Sequence, residues 1–205
     1  MSIYTEFMND PFHCVADYAT NFFYLLPAHT PPPVINTFSL DEEMYTYNHR
    51  TIQNIYFRVA APGSTPLQAH FLPYLSTGVG VAMVTFDASA PGHDFLFTGG
   101  LTGCSVIVTR PDPKVPLLNV YHQPPTNPSI AKGPVYNGET VLAWYHPSDY
   151  LLKSDPVACG TAFLYRNTLG IWYMVGQSLW IGEPYKSYEQ RGTPYIQWIY
   201  DPAVG

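Results

Sequence analysis

Residues 97–108 read Phe97-Thr98-Gly99-Gly100-Leu101-Thr102-Gly103-Cys104-Ser105-Val106-Ile107-Val108. Glycines end a short aromatic run, and a β-branched run follows Cys104 at once, which predicts a tight turn that leads into a strand. The next strand-like run, residues 117–122, ends at His122. The segment therefore predicts short strands, with a thiol on the turn before one of them and an imidazole at the end of the next.

Similar runs, β-branched or aromatic and bounded by Gly or Pro, recur from residue 54 onward. They are 54–60, 67–75, 79–86, 104–109, 117–122, 140–145, 161–165, 171–176 and 195–200. Short strands at this spacing are typical of packed sheets. We therefore expect an α+β, mainly β protein. It should have a β-sandwich-like core of mixed sheets, a few peripheral helices and long loops such as 123–134.

The length of 205 residues suits one core, so we expect a single domain over 1–205. Within it, residues 1–49 form an acidic N-terminal segment without Lys or Arg. Asp10 and Pro11 predict a helix start there, with the helix covering 13–26, and Pro31-Pro32-Pro33 predicts a stiff connector. A short helix is also expected at 148–153. The acidic segment is interpreted as a solvated rim or as a surface for a basic partner.

The composition excludes some classes of partner. Nine basic and 15 acidic residues give a net charge of −6, which disfavours a general nucleic-acid or anionic-membrane surface. No apolar run reaches bilayer length, and the N-terminus lacks the basic region of a classical signal peptide. The three cysteines, Cys14, Cys104 and Cys159, match no zinc spacing. We therefore expect no metal, no disulfide framework and a reducing place of action.

Cys104 and His122 are the residues with the clearest chemical potential. A thiolate at Cys104 would attack a carboxamide or peptide carbonyl while His122 takes and returns the proton. Backbone N–H groups of the turn around Gly103 would stabilise the oxyanion. The group that orients the imidazole stays open among Asp94, Asp112, Asp149 and a main-chain carbonyl. The structural alternative makes Cys104 a small buried hydrophobe and His122 a hydrogen-bonded core histidine.

The pattern Phe97-Thr98-x-x-Leu101-Thr102-Gly103-Cys104-x-Val106, followed by Val120-x-His122, resembles the active-site region of a toxin family. This is the glutamine deamidase family of Burkholderia lethal factor and the catalytic domain of the cytotoxic necrotizing factors, whose hallmark is Leu-Ser-Gly-Cys with a downstream His. Weaker similarity extends to 54–57, 71–74, 162–166 and 169–173, and the first fifty residues lie outside it. The family implies a β-sandwich-like core surrounded by helices and loops.

The resemblance implies a role for each matching residue. Cys104 would be the nucleophile and His122 the general base and acid, and Thr98 would orient the histidine, largely through its backbone carbonyl. The turn residues Leu101, Thr102 and Gly103 would support the turn and its oxyanion site. Tyr185 and Tyr188 would contact the substrate.

The chain departs from the family pattern in two places. Thr102 replaces the family serine, and the interval from Cys104 to His122 (122 − 104 = 18 residues) is longer than in the relatives. Residues 112–116 would hold the excess as a surface loop.

The activity implied by the resemblance is conversion of one glutamine of a host protein to glutamate, without metal or organic cofactor. The implied substrates are a translation-initiation RNA helicase, whose loss would inhibit translation, or a Rho-family GTPase. The protein would then be a secreted effector or toxin acting in the host cytoplasm, and we expect a monomer with no direct contact to nucleic acid or membrane.

Two alternatives to a deamidase fit the same sequence. The same Cys–His dyad would serve a transglutaminase or a cysteine protease. A different class is an aromatic-rich β-sandwich that binds a ligand without catalysis, in which aromatic strand residues are contacts or simply core. The tryptophans concerned are Trp144, Trp172, Trp180 and Trp198. The binding module predicts a buried, inert Cys104, whereas the deamidase predicts a reactive thiol of low pKa.

Overall fold

The computed structural model describes residues 3–17, 19–21, 35–47, 50–59, 67–72, 81–125, 131–151, 158–181, 188–190 and 194–204. The helices in these residues are α1 (Ile3–Asn9), α2 (Pro11–Asp17) and α3 (Pro147–Tyr150). The strands are β1 (Ala19–Asn21), β2 (Ile35–Tyr47), β3 (Arg50–Val59), β4 (Leu67–Leu72), β5 (Ala82–Asp87), β6 (Phe95–Thr98), β7 (Ser105–Arg110), β8 (Leu117–Gln123), β9 (Val135–Tyr136), β10 (Glu139–Tyr145), β11 (Ala158–Arg166), β12 (Trp172–Ile181), β13 (Tyr188–Gln190) and β14 (Tyr195–Tyr200).

These strands form two sheets, so the protein is α+β and mainly β, as expected. The large sheet has the order β1-β3-β2-β4-β6-β11-β12-β13, with β14 also paired with β12. It is mixed, because β4 runs parallel to β6 while β6 and β11 are antiparallel. The small sheet has the order β5-β8-β7-β10-β9, with antiparallel pairing throughout.

The local sequence explains how the small sheet forms. Strand β5 alternates buried Ala82, Val84 and Phe86 with exposed residues, the period of two that a strand with one face on a core requires. Strands β9 and β10 are joined by Asn137-Gly138, whose φ angles are +51° and +81°. Asn-Gly is the favoured pair for a two-residue hairpin turn, because both positions need positive φ.

The main core lies between the two sheets and draws on both, which confirms the expected sandwich-like arrangement. The large sheet contributes apolar side chains such as Leu72, Leu96 and Leu164, and the small sheet contributes Val106 and Val120 among others. A second core lies on the opposite face of the large sheet. There Phe7, Cys14 and Val15 of the N-terminal helices pack with Phe97 and Phe163. Helices α1 and α2 are therefore peripheral, and they cover the outer face of β6 and β11.

The N-terminal helix differs from its prediction at one end. The backbone N–H of His13 donates to the Asp10 carboxylate at 3.0 Å, so the predicted N-cap is confirmed and α2 begins at Pro11. The helix predicted to reach residue 26 ends at Asp17 instead, because Ala19–Asn21 pairs in parallel with β3. Tertiary strand pairing thus overrides the local helical pattern.

Some of the predicted loops and helices lie partly outside the described residues. The Pro31-Pro32-Pro33 connector lies outside the described residues, as do residues 126–130 of the loop expected at 123–134. Where a helix was expected at 148–153, α3 covers Pro147–Tyr150; Leu151 is already extended, and residues 152–153 lie outside the described residues. None of the helices in the described residues has the length and apolar character that crossing a bilayer requires.

Candidate functional site

The register of β7 and β8 brings Cys104 and His122 to one face of the small sheet. Cys104 immediately precedes β7, and Val106 of β7 pairs directly with His122 of β8. Side chains alternate along a strand, so Cys104, Val106 and His122 face the same side, toward the core between the sheets. Cys104 is then the diagonal neighbour of His122, an arrangement that places side chains within about 8 Å.

Thr98 faces the same core from the opposite sheet. Along β6, Leu96 contributes to the core between the sheets, whereas Phe95 and Phe97 contribute to the outer core, so Thr98 shares the face of Leu96. Thr98 is fully buried, and its hydroxyl donates to the Ala162 carbonyl at 2.9 Å. The three residues predicted to be catalytic thus all face the core between the two sheets. The role of the Thr98 carbonyl toward His122 stays a prediction.

The turn that carries Cys104 is fixed at several points. Leu101 and Gly160 exchange backbone hydrogen bonds of 2.7 and 2.8 Å, which ties the turn to β11. Gly103 has a φ of +97°, in the region that only glycine adopts readily. Its N–H donates to the Tyr150 hydroxyl at 2.9 Å, and that hydroxyl donates to the Cys104 carbonyl at 2.6 Å. The Gly103 N–H, which the sequence made a candidate oxyanion donor, is therefore engaged by Tyr150.

The Cys104 thiol is enclosed. Only 2% of the residue is exposed, and burial raises the pKa of its thiol, although a hydrogen bond from the Thr102 backbone opposes that shift. The structure thus differs from the low-pKa thiol expected of a deamidase, because the turn packs the sulfur into the core. On this point it agrees with the expectation for a binding module.

The His122 imidazole is equally enclosed. It is 2% exposed, and burial lowers its pKa to about 4, so the ring is neutral at pH 7. A neutral imidazole has one nitrogen lone pair that can take a proton. The resting pair is therefore a thiol and a neutral imidazole, and not a thiolate–imidazolium ion pair.

The three carboxylates considered as the third member are each engaged elsewhere. Asp94 accepts from the Arg166 side chain at 2.7 Å, and Asp112 accepts from the Lys114 backbone at 2.8 Å. Asp149 pairs with Lys132 at 2.7 Å and also accepts from the His146 backbone at the start of α3. The group that orients the imidazole stays a prediction.

The two tyrosines predicted to contact the substrate and the other two cysteines remain to be placed in the fold. Tyr185 lies outside the described residues, and Tyr188 begins β13, where its backbone pairs with Ile181 at the end of the large sheet. Cys14 and Cys159 are both buried, and burial raises the pKa of Cys159 to about 12. The proposed substrate-contact role of the two tyrosines stays a prediction.

The outer face of the small sheet carries a polar cluster that no sequence motif predicts. Glu139 accepts hydrogen bonds from Thr109, from the Asn119 amide at 2.8 Å and from the Tyr121 hydroxyl at 3.1 Å. Burial raises the pKa of Glu139, but these hydrogen bonds outweigh it and hold the pKa below its usual value. The Asn137-Gly138 hairpin signal would have placed Glu139 at the start of a strand, although not its partners.

Within the described part of the chain, no three His, Cys, Asp or Glu side chains are grouped as metal ligands are. No protein-family model matches the chain, and no curated protein matches it at a significant level. The deamidase hypothesis therefore depends on the short motif around Cys104 and on the site geometry.

Proposed function

We propose that this protein is a glutamine deamidase that acts on a protein substrate through Cys104 and His122. The observation that supports the proposal is the strand register. Cys104 sits on a glycine turn, and the neutral imidazole of His122 lies diagonally across the neighbouring strand on the same face. A dyad of this kind needs a nucleophile and a base within reach of each other on rigid elements.

The chemistry has two halves. His122 takes the Cys104 proton as the sulfur attacks the side-chain carbonyl carbon of the glutamine, and the tetrahedral oxyanion forms. The C–N bond then breaks, the nitrogen receives the proton from His122, and ammonia leaves a thioester. Water, deprotonated by His122, attacks the thioester carbon and releases glutamate, while the sulfur regains its proton.

The buried state of the dyad adds one requirement. Since Cys104 and His122 are each 2% exposed, a glutamine side chain reaches the sulfur only after the turn has moved. The resting thiol has a raised pKa, so attack depends on proton transfer to His122 within the complex. Substrate binding and opening of the turn are therefore coupled in this proposal.

The decisive experiment uses the full chain, Cys104→Ser and the matched control Cys159→Ser. Each is incubated with glutamine-containing host proteins, including the translation-initiation RNA helicase and Rho GTPases named by the resemblance. Peptide mass spectrometry should show one site-specific amide-to-acid conversion with ammonia release for wild type and Cys159→Ser only. Equal conversion by Cys104→Ser would sink the proposal.

Two neighbouring activities are separated in the same assay. Incorporation of an added primary amine at the glutamine would identify a transglutaminase, because the amine replaces water at the thioester. Fragmentation of the substrate chain would identify a cysteine protease. Both reactions require Cys104, so Cys104→Ser remains the reference.

A non-catalytic binding module is the second candidate, and two observations favour it. Cys104 is buried, and strand β14 presents Trp198 and Ile196 with 48% and 43% exposure. On the opposite face of the same strand, Tyr195 and Gln197 line a groove of about 390 Å³ together with Trp144. Trp144 and Trp172 are buried, so they belong to the core. Binding of wild type to a glycan or peptide array, loss of that binding in Trp198→Ala, and no glutamine conversion would together favour this candidate.

A further inference from the structure

We propose that Tyr150 is the positioning residue of the dyad, holding the turn on which Cys104 reacts. This inference rests on the proposed function. The Tyr150 hydroxyl accepts from the Gly103 N–H at 2.9 Å and donates to the Cys104 carbonyl at 2.6 Å. One hydroxyl thus brackets the peptide between the two residues and fixes how the Cys104 side chain leaves the backbone.

The Tyr150 ring is itself held in place. The residue is fully buried, and a Cβ added at Gly160 would lie 2.8 Å from its ring atom Cγ, so the ring packs directly on that glycine. The Ser178 hydroxyl donates to the Tyr150 carbonyl at 2.7 Å, which anchors the backbone of α3 to β12. The hydroxyl therefore reaches the turn from a rigid support, as a positioning residue must.

The hydrogen bonds of Tyr150 persist across the pH range in which a cysteine enzyme works. Burial raises the pKa of its hydroxyl above the usual value, so the phenol keeps the proton that it donates to Cys104. The Gly103 N–H and the Cys104 carbonyl are polar groups that become costly to bury without a partner. Loss of the hydroxyl should therefore loosen the turn and bring its peptide groups toward water.

The test compares Tyr150→Phe with Tyr145→Phe in the full chain. Tyr145 is a buried tyrosine whose ring lies 5.3 Å from the Tyr150 ring, so the control removes a hydroxyl from the same core layer. The first readout is the rate of Cys104 alkylation against pH, followed by peptide mass spectrometry. Cys159 is the internal reference, because it is buried and directly precedes Gly160, the residue on which the Tyr150 ring packs.

For Tyr150→Phe we expect Cys104 alkylation about tenfold faster than in wild type, with its pH midpoint moved down toward that of an exposed thiol. Cys159 should stay protected, and Tyr145→Phe should change the Cys104 rate less than about twofold. A merely structural role would expose Cys159 together with Cys104. An unchanged Cys104 profile in Tyr150→Phe would overturn the inference.

The second readout is turnover on a glutamine substrate identified with wild type. A positioning role predicts that kcat falls about tenfold or more in Tyr150→Phe while KM does not rise, because the hydroxyl does not contact the substrate and a looser turn opens more readily for it. A rise in KM of the same size, with kcat unchanged, would contradict the positioning role. If wild type itself converts no glutamine, the proposed function fails, and the alkylation profile still decides whether Tyr150 holds the turn.

A measurement on wild type alone covers the case in which Tyr150→Phe does not fold. The Gly103 amide, although it lies on a turn, should exchange with deuterium about as slowly as the amides of β7, because it donates to a buried hydroxyl. Exchange at the rate of an exposed loop amide would overturn the proposal.

Discussion

His122 of β8 pairs with Val106 of β7 on one side and with Ala82 of β5 on the other. The imidazole therefore projects from a strand that has neighbours on both edges. The side chain lies on the face that the large sheet covers, and its burial there lowers its pKa to about 4.

The buried histidine should make stability depend on pH in a defined window. Its pKa is about 4 in the folded state and about 6.5 when unfolded, so the unfolded chain binds more protons between these values. The stabilisation is complete above about pH 7, and about 3 kcal/mol of it is lost as pH falls toward 4. Urea unfolding of wild type and His122→Leu across this range should show a steep dependence only for wild type. A parallel slope in His122→Leu would refute this assignment, and His13→Gln, at an exposed position, is the control.

Glu139 should produce a second, more acidic transition. Its pKa is held below the usual value by its hydrogen bonds, so it stabilises the fold above its unfolded pKa and loses that contribution as pH falls through its folded pKa. Glu139→Gln places an amide N–H₂ among the donors Thr109, Asn119 and Tyr121 and should cost about 1–2 kcal/mol at pH 7. Chemical denaturation at pH 7 and below pH 4.5 measures both effects. Thr140→Ala, at an exposed neighbouring position, should show neither.

Gly176 should not tolerate a side chain. A Cβ at this position of β12 would lie 2.5 Å from the Tyr145 ring, closer than atoms can pack. Gly176→Ala should therefore lower the free energy of unfolding by about 1–3 kcal/mol through overpacking. Gly133→Ala is the matched control, because its nearest neighbour would be 3.9 Å away. Equal melting temperatures for the two variants would contradict the close packing of Tyr145 on β12.

Thr98 offers a way to separate stability from chemistry. Its hydroxyl joins β6 to the Ala162 carbonyl of β11, so Thr98→Val should cost about 1 kcal/mol and Thr98→Ser should recover most of it. The resemblance assigns the role of this residue to its backbone carbonyl, which both variants keep. Glutamine turnover should thus be similar in the two folded variants. A large loss of kcat in Thr98→Val alone would show that the hydroxyl itself takes part.

Local sequence was sufficient for strands whose ends are marked by Gly or Pro. The prediction over 195–200 coincides with β14, and the prediction over 117–122 gives β8 except for its last residue. The local pattern does not predict strand β2, because the acidic run Asp41-Glu42-Glu43 lies in its centre and masks the β pattern. It does not predict strand β6 either, since β6 is short, with four residues, and leads directly into the glycine turn.

The candidate site residues could be listed from the sequence, but their arrangement in space could not. Cys104 and His122 could be chosen from spacing, because strand β8 follows β7 directly along the chain. The contacts of the turn with Tyr150 and Gly160 come from distant segments, and no local pattern announces them. Burial was also beyond reach, since the pKa of Cys104 and His122 depends on how two sheets close over them.

The pairing of Leu101 with Gly160 has a consequence for the order in which the protein is made. The Cys104 turn leaves the ribosome well before β11, yet β11 supplies the backbone partner of Leu101 and the strand that flanks β6. Until residues 158–166 have emerged, β6 has an open edge, and the turn lacks its anchor. A prematurely terminated chain that includes His122 but stops short of Gly160 would thus carry both predicted reactive residues without a formed site.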